Sequence, residues 1–234
     1  MTTEDAQKLL DKIIAQIFGY QNPFTLDQFL TKYAFDIRLP QKVQDSTTGQ
    51  DTWASSINPT KFITKENTQK FGPNGDGDWQ LPKREINSLV DILEAWSETN
   101  ITATERHVES INVSQSDAIN YSENVYRSQD IHRSKNVLFC DSSMSIENSA
   151  AIQRSNTVSY SIRVDDSKNI DQSFAVNWSA KITKSFFIQD CFDMYECIFC
   201  SHISSKKYCI ANMQFTEEEY FKHKDLVVKW ILSN

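Results

Sequence analysis

Residues 122–140 read SENVYRSQDIHRSKNVLFC. Serine or cysteine stands at every sixth position (Ser122, Ser128, Ser134, Cys140), and Val125, Ile131 and Val137 fall midway between them. The beat continues in both directions. Small residues run from Ser110 and Ser116 through Ser143 and Ser149 to Ser185, Cys191 and Cys197. Aliphatic residues run from Val113 and Ile119 through Ile146 and Ile152 to Ile188, followed by Met194. The pattern slips once, at Cys140–Ser143, where two small residues follow each other, yet the spacing of three survives.

A period of three matches neither a strand, whose side chains alternate every two residues, nor a helix at 3.6. It fits a parallel β-solenoid: short extended pieces turn at corners, and one residue in three points inward. Stacked coils place like over like, ~4.8 Å apart. A like-on-like stack needs a coil length divisible by six, so 12 or 18 residues are the candidates, and Asn124, Asn136 and Asn148 favour 12. The outward pairs, such as Asp117-Ala118, Gln129-Asp130 and Lys135-Asn136, are mostly polar, as solvent-facing positions should be. With few glycines available, Asn and Asp are expected at the corners. Inward serines require a backbone carbonyl or the serine above as partner, because an unbonded buried hydroxyl is costly.

Open strand edges at the ends of a solenoid invite aggregation unless covered. Downstream, Thr216 and Glu219 form a capping-box start for a helix carrying Tyr220, Leu226, Val227, Trp230 and Ile231. Upstream, Pro82 to Trp96 reads as an amphipathic helix feeding directly into the first coils. Nearer the N-terminus, Leu9, Leu10, Ile13, Ile14 and Ile17 mark a helix over Asp5 to Phe18, and Thr25 with Gln28 opens a second. Between residues 35 and 80 periodicity lapses into loop chemistry. The expected fold is mainly β: a helical or irregular N-terminal docking region (1–100), a β-solenoid (101–210) and a C-terminal capping helix (211–234). The N-terminal segment either reaches over a neighbouring subunit or folds on its own chain.

Bulk properties narrow the function classes. The chain has 234 residues and a formal charge of −7, with mean hydropathy −0.50 and pI near 5.1. No basic stripe is present, which argues against nucleic-acid partners. No apolar run approaches the length of a membrane span. The polar, acidic start MTTEDAQKLL lacks the pattern of a secretory signal, so synthesis in the cytoplasm is expected. Abundant Lys, Asn, Ile and Ser suit an AT-rich genome.

Residues with chemical potential are few. Cys197 and Cys200 have C-x-x-C spacing, with Cys191 and Cys209 near, which raises a zinc site. All five cysteines, Cys140 included, nevertheless share the inward phase of the serines, so core packing is the preferred reading. Asn74, Asp76, Asp78 and Glu85 occupy ligand positions of a calcium loop, but Trp79 stands where the loop needs glycine, which favours a solvated turn. The histidines at 107, 132, 202 and 223 have no nucleophile or acid at a suggestive spacing, His107 inward and His132 outward. No catalytic, cofactor-binding or metal residue is therefore assigned, and no cofactor is expected.

Left-handed hexapeptide acyltransferases share a period of six, but their small residue follows the aliphatic by four and precedes the next by two. Here the spacing is three and three, and Asn120, Tyr126, His132 and Leu138 directly follow the aliphatics. That departure excludes the enzyme family, and pentapeptide proteins fail on period. Residues 185–220, SFFIQDCFDMYECIFCSHISSKKYCIANMQFTEEEY, carry S/C-x-x-S/C triplets and close with Lys206-Lys207-Tyr208-Cys209-Ile210, Asn212, Gln214 and Glu218-Glu219-Tyr220. This half of the chain resembles uncharacterised triplet-repeat β-solenoid proteins of phages, large viruses and small-genome bacteria. The resemblance implies a solenoid with a helical cap and a viral origin.

The leading expectation is a non-enzymatic structural protein of a virus particle, a tailed-phage capsid decoration, vertex or tail-associated component. It would dock through its N-terminal region onto other virion proteins or itself as a homo-oligomer. The alternatives are a cytoplasmic adaptor, or a solenoid-based enzyme or metal protein using Cys191, Cys197, Cys200 and Cys209 or a groove lined by Tyr121, Tyr126 and Tyr160.

Overall fold

The repeat builds its coils as the spacing predicts. A computed structural model describes residues 1–58, 60–68 and 79–233. From His107 to Ile210 the chain winds as a parallel β-solenoid of about nine turns. The register settles the coil length at 12: Ile119 pairs with Ile131, Val164 with Val176, and Ile170 with Ile182. Each coil has four inward positions, one per side. Before the slip, Ser116, Ser128 and Cys140 stack on one side, and Val125 and Val137 on a neighbouring side. After it the two kinds of stack exchange sides, with Ser155 above Ser143 and Val158 above Ile146. The slip therefore turns the pattern by one side. On either side of the slip a coil holds two small and two aliphatic residues, such as Ser122 to Ile131 and Ser161 to Ile170, and the cross-section stays filled.

The inward hydroxyls solve their burial in one repeated way. Ser128 Oγ donates to the carbonyl of Tyr126, two residues back, at 3.0 Å, and accepts the amide N–H of Cys140 in the coil above at 3.0 Å. The bond from above is thus to backbone N–H and not to the next hydroxyl. Across the slip the same geometry holds with Ile146 N–H on Ser134 Oγ (3.0 Å) and Ile152 N–H on Cys140 Sγ (3.3 Å).

The corners correct the expectation of occasional Asn and Asp. From Asn112 to Ala211 every third residue is left-handed, through most of the solenoid just before an inward residue, and these include Tyr121, Arg127, Phe139, Trp178 and Phe187. An L residue pays on the order of 1 kcal/mol in that region. Thr157 is the sole β-branched residue among these positions and no glycine occurs there. Branching at Cβ would add a clash that a linear side chain avoids, and the strain is held by the ladder on both sides. At one corner Asn112, Asn124, Asn136 and Asn148 form a side-chain ladder, each amide donating to the next at 2.6–2.9 Å.

One flank of the solenoid is not polar. Every twelfth outward residue from Leu138 through Ala150, Ile162, Phe174 and Phe186 to Ile198 is buried. Helices cover it. Helix α1 (Thr3–Phe18) starts at a Thr2–Asp5 capping box and ends at Gly19, whose φ of 75° suits a residue without Cβ. Its Phe18 ring lies 5.5 Å from those of Phe174 and Phe186. Helix α2 (Leu26–Tyr33) stacks Phe29 on Phe139 and sets Tyr33 edge-on to Phe174. At the other end of the chain, Cys209–Ile210 pairs antiparallel with Met213–Gln214. A C-terminal helix (Glu217–Leu232) then covers the last coils from the side, with Tyr220 against Tyr208 and Trp230 against Phe187. It reaches the N-terminal helices through Tyr33 to the Ile231 carbonyl and Tyr20 to Asp225. Helices α1 and α2 thus belong to their own chain's core.

Between these helices and the coils sits a small subdomain: β1 (Gln41–Gln44) antiparallel to β2 (Asp51–Ala54), and β3 (Lys61–Thr64) parallel to β4 (Ile101–Thr104), with a short helical turn α3 (Lys65–Thr68). Asp117 ties it to the first coils, accepting Arg106 Nε (3.0 Å), Arg106 Nη2 (2.8 Å) and the Ser55 amide (2.9 Å). The upstream helix, α4, spans Leu89–Thr99. It begins later than Pro82 because Ser88 and Asp91 supply the capping box, and residues 79–87 before it have no regular secondary structure.

Candidate functional site

The cysteines are built into the inward stacks. Cys191 and Cys197 amides donate to Ser179 and Ser185 hydroxyls at 3.0 Å, as a serine in their place would. Their thiols point to carbonyls two residues back, at 3.2 and 3.4 Å. All five are buried and reduced. Burial pushes the Cys140 thiol up to about 12 and also raises Cys191 and Cys209. Interaction between the neighbouring Cys197 and Cys200 thiols raises the pKa of Cys197 and lowers that of Cys200. Among the described residues no group of three His, Cys, Asp or Glu is arranged to hold a metal ion.

The other candidates are scattered. His107 Nε2 contacts the Ser116 carbonyl at 2.9 Å inside the first coils, His132 packs edge-on to Tyr121, and His223 lies against Phe215. Tyr126 is buried against Phe139 beneath the helices and Tyr160 packs on the same flank, whereas Tyr121 is exposed at another corner. The three tyrosines do not share a groove. Of the calcium-loop residues, Asn74, Asp76 and Asp78 lie outside the described residues, and Glu85 is exposed ahead of α4.

Two surface features stand out. The first is α4. It has no buried residue, and Leu89, Val90, Ile92, Leu93 and Trp96 are 48–68% exposed. Leu89, Ile92, Leu93 and Trp96 share one helical face, while Asp91, Glu94 and Glu98 lie on another. Ile86, just before the helix, is also exposed.

The second is an open groove of about 820 Å³ running along the solenoid between a corner column and the neighbouring column of strand residues. One wall carries Arg154, Asp166, Trp178, Asp190 and His202, each one coil above the last; the other includes Lys168 and Phe192. Arg154 Nε holds both oxygens of Asp166 at 3.0 Å, and this guanidinium keeps that carboxyl below the usual range. Trp178, one coil above, also favours the ionised form of that carboxylate. Two coils higher His202 Nδ1 meets Asp190 at 2.8 Å. Trp178 and Phe192 remain 58% and 48% exposed, and Lys181 sits over one face of the Phe192 ring at 4.9 Å. Sequence reasoning passed over this column, although its members recur at every twelfth position once the coil length is known.

No protein-family model, curated protein or solved structure matches the chain.

Proposed function

We propose that this chain is a rigid, non-catalytic component of a larger assembly, attached through α4. The observation that carries the reading is the apolar face of α4. An isolated helix of about 12 residues or fewer is marginal in water, and helices are normally held by packing of that face. The 11-residue α4 fully buries none of it within its own chain among the described residues. Its apolar stripe beside Asp91, Glu94 and Glu98 fits an apolar socket with a basic rim. Helices α1 and α2 are committed to the solenoid flank, which narrows the docking segment from the whole N-terminal region to residues 82–99.

A close-packed solenoid with its thiols sealed suits a spacer or decoration better than a reaction vessel. The proposed setting is a virus particle, a tailed-phage capsid decoration, vertex or tail-associated component. That setting rests on the triplet-repeat resemblance and on the Lys-, Asn- and Ile-rich composition. Quantitative mass spectrometry of purified particles tests it: a fixed, high copy number is expected, and absence from particles overturns the virion reading. Leu93→Asp tests the attachment. Its expected result is loss of incorporation with unchanged thermal unfolding, and normal incorporation would remove α4 from the docking role.

A further inference from the structure

We infer that the Trp178–Phe192 groove binds an extended, uncharged polysaccharide lying along the solenoid axis. The shape sets the class of ligand first. Small-molecule sites bury most of their ligand, whereas this groove is open along its length, so its occupant gains contact area by being long. The walls advance at the coil rise of ~4.8 Å, comparable with the length of one pyranose ring, so successive sugars of a chain would each face one coil of the two walls.

Charge and backbone then remove the other linear polymers. Arg154 and Lys168 are balanced by Asp166 and Asp190, and His202 Nδ1 lies 2.8 Å from Asp190. A phosphate-tracking groove needs a basic excess, and a polyuronate would need one too. An extended peptide gains affinity by adding a strand to a sheet edge. This groove crosses the strands, whose backbone groups are already paired coil to coil, so it offers no such edge.

What the walls do offer suits a neutral sugar. A pyranose has an apolar C–H face and a rim of hydroxyls. The indole of Trp178 stands one coil above Asp166, which Arg154 clamps, and leaves apolar ring surface open to the groove. Phe192 gives a second face across the groove, backed on one side by Lys181. Asp190 and Asp166 provide acceptors on either side of Trp178 along the column, and Arg154 and His202 provide donors beyond them. The resulting order is cation, carboxylate, aromatic, carboxylate, imidazole. The Arg154–Asp166 and His202–Asp190 pairs are in place before any ligand arrives, which lowers the ordering cost of binding.

The test is affinity electrophoresis of the full-length protein in native gels containing dextran, xylan, galactomannan or laminarin, with alginate and poly(dT) gels as polyanionic comparisons. Retardation by at least one neutral polysaccharide is expected. Trp178→Ala should weaken it at least tenfold and Asp190→Asn several-fold, with melting temperatures close to wild type because both side chains are exposed. Leu93→Asp, on α4, should leave it unchanged, which separates this site from the docking helix. Retardation by none of the four neutral polymers, equal retardation of Trp178→Ala, or retardation by alginate or poly(dT) alone would each overturn the inference.

Discussion

Ser161 performs three tasks at one inward position. Its hydroxyl donates to the Ser159 carbonyl at 2.7 Å and accepts the Ser173 amide at 3.1 Å, while its own amide donates to Ser149 Oγ at 3.0 Å. Ser161→Ala would leave the Ser173 N–H buried without an acceptor, a loss of about 1–3 kcal/mol. Ser161→Cys should lose less, because Cys140 already accepts an amide from above in the same geometry. Urea unfolding followed by circular dichroism checks the order. Equal losses would mean that volume, and not the hydrogen bond, decides the small positions. Cys197 follows the same logic, its amide donating to Ser185 Oγ in a column of serines, whereas Cys200 stands over Ile188 in a neighbouring aliphatic column.

At the scale of elements, Asp45 organises the small subdomain. Its buried carboxylate accepts the Thr47 amide (2.8 Å), the Thr64 amide at the end of β3 (2.8 Å) and the Asn67 side chain on α3 (3.1 Å). Burial alone would raise its pKa, but these donors and the Thr47 hydroxyl outweigh it and hold the carboxyl well below the usual range. Asp117 is lowered in the same way: burial opposes ionisation, and Arg106 with the Ser55 amide overcomes it. A carboxyl whose folded pKa lies below its unfolded value adds stability above that value and loses it as pH falls. Both contributions should therefore be complete above pH ~4 and fade below it. Thermal melts between pH 7 and 3 should show a steeper acid loss for wild type than for Asp45→Asn, whose stability at pH 7 is lower. Parallel acid profiles would remove Asp45 as a source of the pH dependence.

At the scale of the whole molecule, the solenoid is asymmetric. Three helices from both ends of the chain seal one flank, and the remaining sides face solvent with mixed polar columns. Contacts within the coils are near in sequence, whereas the flank joins residues far apart, such as Phe29 to Phe139 and Tyr33 to Ile231. Phe29 is fully buried at this junction. Phe29→Ala should cost about 3–5 kcal/mol, read as a lowered melting temperature with dye-accessible apolar surface appearing at milder heating than in wild type. A melt indistinguishable from wild type would mean that the helices do not contribute to the solenoid's stability.

The division between what was legible in the residues and what was not follows from range. The triplet beat carries the coil architecture because each inward residue is repeated one coil above, so a local rule propagates along the chain. The capping boxes at Thr2, Thr25 and Thr216 likewise mark helix starts through contacts three residues away. The left-handed corners were only partly legible: exclusion of β-branched residues is visible along the chain, but Trp178 or Phe139 at such a position obeys no familiar turn preference. The sealed flank and the groove share one cause. Both are columns of residues twelve apart, and they become contiguous surfaces only when the coil length is settled by strand register. Residues 122–140 therefore determine by themselves that the chain is a solenoid with a filled interior. Tertiary structure alone decides which outward columns are buried, which stay open as a groove, and that α4 keeps its apolar face exposed, because those outcomes depend on packing between segments that no local pattern connects.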